Sequence, residues 1–169
     1  MPVSRRIIDD RLYVHFVTFS CYRRRMLLDA DRSKRIVLGC LHSEMQRQAA
    51  KCVGFVLMSN HVHFLLWFDV TDQLSHFLKD WKRNSSSELA TFLRRTEYGK
   101  SIPPSDPIWT PRYYAFEIET TGVLEQKLNY IHDNPVRAGM VSRQADYRWS
   151  SARWYERRED VGIPISWTD

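Results

Sequence analysis

The stretch CVGFVLMSNHVHFLLWF, residues 52–68, decides the fold of this chain. It contains two apolar runs of strand length, residues 52–58 and 61–68, both rich in β-branched and aromatic side chains. The dipeptide Ser59-Asn60 between them suits a two-residue turn, because asparagine tolerates a positive φ angle. The stretch therefore predicts a β-hairpin.

Two further strands are predicted on either side of this hairpin. Residues 12–21 (LYVHFVTFSC) are apolar on both faces, which indicates a central position in the sheet. Residues 112–119 (RYYAFEIE) have the same aromatic and β-branched character and predict the fourth strand.

Three helices are predicted where apolar side chains recur at helical spacing. The second is expected to be bent or broken around residues 85–87, which are three consecutive serines. The third is expected to end near Asp133, because Pro135 disfavours helical geometry at Asn134. The predicted helices run from 29 or 31 to about 48, from 71 or 72 to 93, and from 121 or 122 to 133; residues 96–107 are predicted to be a loop, and a tryptophan-rich tail follows Gly139.

The predicted order of elements is strand, helix, strand, strand, helix, strand. This is the split βαβ order of ferredoxin-like α+β domains with an antiparallel sheet. A third helix, which carries Tyr130, and the tail are additions to it. With 169 residues and no repeat or linker, residues 1–169 are expected to form a single domain.

The composition excludes several classes of protein. Hydrophobic residues make up 43% of the chain, which excludes disorder and collagen-like repeats. The apolar run 64–68 is far shorter than the ~20 residues that span a bilayer. Residues 1–10 have no apolar signal region, and the three cysteines form no metal-binding or paired motif. We therefore expect a cytoplasmic protein with no membrane partner.

The net charge of +5 is unevenly placed. The first fifty residues carry ten basic and five acidic side chains, and Arg23, Arg24 and Arg25 are consecutive. Clustered basic side chains suit a polyanion such as a nucleic acid, since they displace counterions condensed on its phosphates. Modest basicity is also common in proteins that bind no nucleic acid.

His61 and His63 form the sharpest motif of the sequence. In a strand, residues i and i+2 point to the same side, with Cβ atoms roughly 6–7 Å apart, so two imidazoles can converge on one metal ion. The alternative is a pair of separately hydrogen-bonded histidines. Two ligands do not fix an ion, so a metal site needs a third group from elsewhere in the chain.

Tyr130 is the second candidate. At 100° per residue it lies at the edge of the apolar stripe of Leu124, Leu128 and Ile131, and it shares one side of the helix with Lys127 and Asn134. A phenol, an amide oxygen and an ammonium group could serve as nucleophile, ligand and charge. The alternative is a half-buried tyrosine followed by an ordinary helix stop.

The segments MSNHVH (residues 58–63) and YIHDNPVRAG (residues 130–139) together resemble the single-tyrosine HUH transposases, and more specifically their REP-associated branch. HUH denotes two histidines separated by a bulky hydrophobic residue, here Val62. Ser59 departs from the pattern, since the family often has proline there. The resemblance extends to residues 15–19, 109–114 and 147–151.

This resemblance implies a function. His61 and His63 would bind a divalent ion, Mg²⁺ or Mn²⁺, with Asn134 as third ligand, although imidazoles suit Mn²⁺, Co²⁺ or Zn²⁺ at least as well as Mg²⁺. Tyr130 would be the nucleophile that cleaves and rejoins single-stranded DNA through a covalent 5′-phosphotyrosine. The substrate would be a hairpin of the repetitive extragenic palindromic (REP) type, and the protein would be nucleoid-associated. Monomer and homodimer, and catalysis within or between chains, remain open.

Basic and aromatic side chains are the candidates for DNA contacts. Any of the basic ones can instead be a solvated surface charge. Trp109 and Tyr113 are candidates for stacking on unpaired bases. The basic candidates are Arg23, Arg24, Arg25, Lys82, Arg83, Arg112, Lys127 and Arg137.

Two other functions compete with strand transfer. A non-catalytic module for single-stranded nucleic acid could have the same fold, as RNA-recognition domains do, but it has no need for the histidine pair together with Tyr130. A metal-dependent phosphoesterase with water as the nucleophile would keep the histidines and tolerate the loss of the Tyr130 hydroxyl.

Overall fold

The computed structural model describes residues 13–167, and its centre is a four-stranded antiparallel sheet. Strand β3 pairs with β2 on one side and with β1 on the other, and β4 pairs with the free side of β1. The order β2-β3-β1-β4 is that of the ferredoxin-like fold, which confirms the predicted class. The predicted residue Leu12 of the first strand lies outside the described residues. The strands are β1 Val14–Ser20, β2 Ala50–Leu57, β3 His61–Phe68 and β4 Tyr114–Ile118.

Helices cover both faces of the sheet. On one face lie α1 and α2, where Trp81 of α2 packs against Phe19 and Phe64. The other face carries α4, whose Tyr130 lies beside Phe16 and His63. The helices are α1 Asp31–Arg47, α2 Leu74–Leu93, α3 Glu97–Lys100, α4 Thr121–Arg137 and α5 Ala152–Arg157. No helix within residues 13–167 is both long enough and apolar enough to cross a bilayer.

Helix α2 is continuous through the three serines, so it is not broken there. The buried Ser85 hydroxyl donates to the Lys82 carbonyl and accepts from the indole N–H of Trp109. The hydroxyl donates within the helix and accepts from Trp109 outside it, so both of its hydrogen-bonding functions are satisfied while the helix stays intact. The predicted loop 96–107 contains the short helix α3, which begins where the Thr96 side chain accepts a hydrogen bond from the Gly99 N–H.

Helix α4 continues through Pro135 to Arg137, so the predicted end near Asp133 was wrong. A proline inside a helix costs the hydrogen bond that its nitrogen would donate, here to Ile131. The buried ring of Pro135 and the bond from the Ala138 N–H to the Asn134 carbonyl hold the last turn in place. Asn134 therefore lies within the helix, one turn beyond Tyr130.

The tryptophan-rich tail packs along β2, at the edge of the sheet. The N–H of Leu57 donates to the Trp149 carbonyl, and the N–H of Ser151 donates to the Phe55 carbonyl. The phenol of Tyr147 donates to the Leu57 carbonyl. These bonds cover an edge of the sheet that would otherwise expose unpaired backbone groups.

Candidate active site

The two histidines lie on the face of the sheet that α4 covers. Strand β3 pairs with β1 so that His61 is opposite Ser20 and His63 is opposite Thr18. Their ring centroids are 5.0 Å apart. The alternation of the strand therefore brings both imidazoles to one side of the sheet.

Each imidazole has a hydrogen-bond partner on its Nδ1 atom. The Nδ1 atom of His63 is 2.7 Å from the Thr18 hydroxyl, and that of His61 is 2.8 Å from the side-chain oxygen of Asn60. The Nε2 atom of His61 faces the carboxamide nitrogen of Asn134 at 3.3 Å. The site is thus built from β1, β3 and α4.

Burial keeps both histidines neutral. Desolvation, followed by the nearby Arg24 guanidinium, lowers the pKa of His61 to about 4. Desolvation lowers the pKa of His63 to about 3, with smaller contributions from His61, Arg137 and Lys127. Neutral imidazole is the form that ligates metal ions, so these side chains are ready to bind at neutral pH.

Helix α4 places Tyr130 beside the histidines. The Thr120 side chain caps the helix by accepting from the Val123 N–H. Three buried side chains then fix its face against the sheet: Leu124, Leu128 and Ile131. Tyr130 lies beside this stripe, 42% exposed, with its ring centroid 5.8 Å from that of His63 in the same chain.

Two cations flank the Tyr130 ring. The Lys127 ammonium is 5.6 Å from the ring centroid and also lies over Phe16 and Phe116. The Arg137 guanidinium carbon is 4.5 Å from the same centroid. Both side chains add positive charge where an anionic substrate would meet the phenol.

The other basic candidates divide into two groups. Arg23 and Arg24 are exposed in a turn next to the histidines, and both have positive φ angles, 55° and 56°. Such strained non-glycine backbone is often found at functional sites. Arg112 is also exposed, just before β4.

Three of these other basic candidates have partners within the protein, and Arg137 of α4 likewise pairs with Asp133. Arg25 is mostly buried and forms an ion pair with Asp106. Lys82 donates to the Pro111 carbonyl, and Arg83 pairs with Asp80. Lys82 and Arg83 belong to α2, on the face opposite to the histidines.

The expectation that Trp109 stacks on DNA bases was wrong. Its side chain is fully buried, and its indole N–H is bonded to Ser85. Trp109 forms an antiparallel bridge with Cys21, and this pairing of residues 88 positions apart has no signal in the local sequence. Tyr113 is 39% exposed and remains available for stacking.

The residues around the histidines fit a divalent metal ion. Within residues 13–167, no group of three histidine, cysteine, aspartate or glutamate side chains could hold one. The donor set here consists instead of two neutral imidazoles and the Asn134 carboxamide, whose oxygen and nitrogen exchange places on a half-turn of the amide. Engagement of each Nδ1 leaves each Nε2 available, as in known histidine metal sites.

Sequence reasoning missed Thr18 and Asn60 as parts of this site. Both lie in segments that carry the family resemblance, but the sequence predicts Asn60 as a turn residue and Thr18 as a strand residue, with no role for either at the histidines. The antiparallel register of β1 and β3 is the signal that would have identified Thr18, since it places Thr18 directly opposite His63.

Comparisons with known proteins identify the family of this chain and proteins of similar fold. A sequence profile described as "Transposase IS200 like" matches residues 9–134. The fold is similar to that of a REP-associated tyrosine transposase bound to a REP hairpin, with a TM-score of 0.67 and 19% identity over 93% of this chain and 88% of that one. It is also similar to a putative transposase from Deinococcus radiodurans R1, with a TM-score of 0.53 and 17% identity over 74% of this chain and 92% of that one. Among curated proteins, none matches.

Proposed function

This chain belongs to the IS200-like transposase family, and on that premise we propose that it cleaves and rejoins single-stranded DNA hairpins through a covalent 5′-phosphotyrosine at Tyr130. One observation carries the proposal. Within a single chain, α4 holds the half-exposed ring of Tyr130 with its centroid 5.8 Å from that of His63 on β3. The family membership supports an enzyme, and this juxtaposition supports the tyrosine as its nucleophile.

The proposed metal ligands are His61, His63 and Asn134. A bound Mg²⁺ or Mn²⁺ ion would polarise a phosphoryl oxygen and stabilise the charge that develops during strand transfer. The protein contributes neutral imidazoles, which need no deprotonation, and hydrogen bonds between their Nδ1 atoms and the side-chain oxygens of Thr18 and Asn60 hold them in place.

In the proposed reaction, the Tyr130 hydroxyl gives its proton to solvent and its oxygen forms a bond to phosphorus. The bond from phosphorus to the 3′ oxygen breaks, and that oxygen takes a proton from solvent, which leaves a free 3′-hydroxyl and a 5′-phosphotyrosine. Attack by another 3′-hydroxyl reverses these steps and rejoins DNA, because the phosphotyrosine retains an ester of similar energy. Lys127 and Arg137 stabilise the negative charge of the phenolate and phosphate.

The proposed substrate is a DNA hairpin of the REP type. The REP-associated tyrosine transposase that shares this fold is bound to such a hairpin, which supports the assignment. Arg23, Arg24 and Arg112 are exposed basic side chains suited to contact the DNA backbone. We further propose that residues 1–169 act as one transposase domain in the nucleoid, as a monomer or homodimer.

The test is an adduct assay with a labelled hairpin and Mn²⁺. We expect a covalent DNA adduct on the intact chain and none on Tyr130→Phe, whose fold is retained because only an exposed hydroxyl is lost. The matched control is Tyr98→Phe, which removes the same atom from an exposed tyrosine on α3.

Each other outcome contradicts the proposal in a different way. Hairpin binding without cleavage in any divalent metal would indicate the binding module. Cleavage that persists in Tyr130→Phe would indicate a phosphoesterase that uses water. An adduct on another residue would reject Tyr130 as the nucleophile.

A further inference from the structure

We propose that Thr18 and Asn60 are positioning residues: each accepts the Nδ1 proton of one histidine, so that both imidazoles present an unprotonated Nε2 to a divalent metal ion. The inference deepens the proposed function, because it concerns the same metal site and rests on that site's existence. It adds two residues that touch neither metal nor DNA and act through His61 and His63.

Thr18 is placed opposite His63 by the pairing of two neighbouring strands. Its hydroxyl oxygen lies 2.7 Å from Nδ1, a normal length for a strong hydrogen bond. A neutral imidazole has a single ring proton, so a proton held on Nδ1 leaves a lone pair on Nε2. A hydroxyl can donate as well as accept, and the proposal assigns it as the acceptor.

Asn60 acts on His61 through a carbonyl-type oxygen. Its Oδ1 atom is 2.8 Å from Nδ1 of His61, while its amide nitrogen points to the Arg24 carbonyl at 3.5 Å. This second contact orients the amide, and an amide oxygen can only accept, so the proton belongs to Nδ1 of His61. The contact from the Asn134 nitrogen to Nε2 agrees, since it requires a lone pair there.

The strained turn that precedes α1 supports the same arrangement. Arg24 follows Arg23 in the left-handed backbone region. The Arg24 carbonyl receives the Asn60 amide, and the N–H of Cys21 donates to the Asn60 carbonyl. The strained turn thereby helps to orient Asn60, and Asn60 orients His61.

Such outer hydrogen bonds matter because they fix the tautomer and the ring orientation before the metal binds. Losing one typically costs about 10–100-fold in metal affinity. The expected effect is therefore on affinity, with little change in the fold.

The first experiment measures metal binding by Thr18→Val, which keeps the shape and strand preference of threonine but lacks the hydroxyl. Co²⁺ alone is the probe, followed by its visible absorption and by calorimetry. We expect Co²⁺ affinity to fall about 10–100-fold in Thr18→Val and to stay within about threefold of wild type in Thr18→Ser. Thr91→Val, an exposed site on α2, is the control and should bind as wild type does.

The second experiment measures the tautomers directly in the metal-free protein. With ¹⁵N-labelled histidine at neutral pH, wild type should show His63 and His61 protonated on Nδ1. Thr18→Val should shift part of the His63 population to the Nε2-protonated form and leave His61 unchanged. A wild-type His63 protonated on Nε2 would overturn the assignment of Thr18 as acceptor.

Asn60 gives an independent pair of variants. Asn60→Ala should lower Co²⁺ affinity about 10–100-fold and release the His61 tautomer. Asn60→Asp keeps an acceptor for Nδ1 but loses the donor to the Arg24 carbonyl, so it should retain more affinity and more of the Nδ1-protonated form than Asn60→Ala. Equal affinity and equal tautomers in Thr18→Val, Asn60→Ala and wild type would overturn the inference.

The two proposals fail in different ways. Wild-type protein that binds neither Co²⁺ nor Mn²⁺ would reject the metal site of the proposed function. The ¹⁵N measurement would still decide whether Thr18 and Asn60 accept the Nδ1 protons.

Discussion

At the scale of single residues, the candidate site depends on which histidine nitrogen atoms are left free to bind a metal ion. His61 and His63 each use Nδ1 inside the protein, and the half-exposed Tyr130 ring reaches them from α4. Asn134 contacts His61 but no acidic residue joins the set within residues 13–167. A site of neutral donors leaves the full charge of a bound cation to act on an anionic phosphate.

Asn134 offers a sharp test of the third ligand. Asn134→Ala should lower Mn²⁺ affinity by more than the about 10–100-fold that loss of an outer partner costs, because a direct ligand is removed. Asn134→Asp keeps an oxygen donor and adds a negative charge, so it should bind Mn²⁺ at least as tightly as wild type. Calorimetry with each variant measures the difference. Equal Mn²⁺ affinity in Asn134→Ala and wild type would remove Asn134 from the ligand set.

At the scale of elements, the position of α4 decides whether Tyr130 meets the histidines. Gly54 of β2 allows the close approach, because a Cβ atom there would lie 2.5 Å from the Leu128 side chain and 3.2 Å from the Ser151 hydroxyl. The same region receives the tail, where the Ser151 hydroxyl lies 2.6 Å from His132 of α4. Sheet, helix and tail are thus packed together at one point.

Gly54→Val should therefore displace α4. We expect a loss of about 1–3 kcal/mol in stability, typical of overpacking in a core, and a decrease in adduct formation that exceeds the loss of folded protein. Gly54→Ala should cause smaller changes in the same direction, because the Leu128 tip can move. Chemical denaturation and the adduct assay measure the two effects; a Gly54→Val protein as stable and active as wild type would contradict the close approach.

The tail can be tested without touching the site. Tyr147→Phe removes the bond from the buried phenol to the Leu57 carbonyl and should cost about 1–3 kcal/mol, as a buried acceptor loses its partner. Denaturant unfolding measures the change. The exposed Tyr98→Phe is the reference and should stay within about 0.5 kcal/mol of wild type.

At the scale of the whole molecule, charge and burial set how the protein responds to solution conditions. The chain carries a net charge of +5, and exposed arginines lie at the end of the sheet that holds the histidines. The buried His63 and His132 and the partly buried His61 are neutral in the fold. We therefore expect salt concentration to affect DNA binding and pH to affect the stability of the fold.

Hairpin binding should depend steeply on salt. Changing Arg23 and Arg24 together to glutamine should weaken binding and reduce the slope of log affinity against log salt by about 1–2, since each phosphate contact on single-stranded or duplex DNA contributes about 0.7–0.9. The matched control changes Arg32 and Arg35, which are exposed on α1 on the other face of the sheet, and removes the same charge. Equal slopes in both double variants would show that the strained turn does not contact DNA.

Stability should fall on acidification in the absence of metal. Desolvation lowers the pKa of His132 to about 4, compared with about 6.5 in an unfolded chain, and it lowers the pKa values of His61 and His63 in the same direction. As the pH falls below about 6.5, the unfolded chain takes up protons that the folded one does not, so stability is full above this pH and is lost towards pH 4. Tm measured from pH 7.5 to 5 should decrease, with a shallower slope in His132→Gln. A constant Tm over this range would contradict the burial of neutral histidines.

The sequence by itself determined the sheet, the hairpin and the side to which His61 and His63 point. These features follow from local rules, since the alternation of apolar residues fixes which face of a strand is buried. It did not determine the end of α4 or the continuity of α2. Pro135 and Ser85 have unfavourable local preferences there, and burial together with the hydrogen bonds around them outweighs those preferences.

Only the tertiary structure decided which distant residues meet. The distance between Tyr130 and His63, the bonds from Thr18 and Asn60, and the burial of Trp109 all depend on how strands pair and how α4 crosses the sheet. Tyr130 and His63, for example, are 67 positions apart in the sequence. Such contacts depend on packing across the whole core, and a local pattern of residues carries no information about that packing.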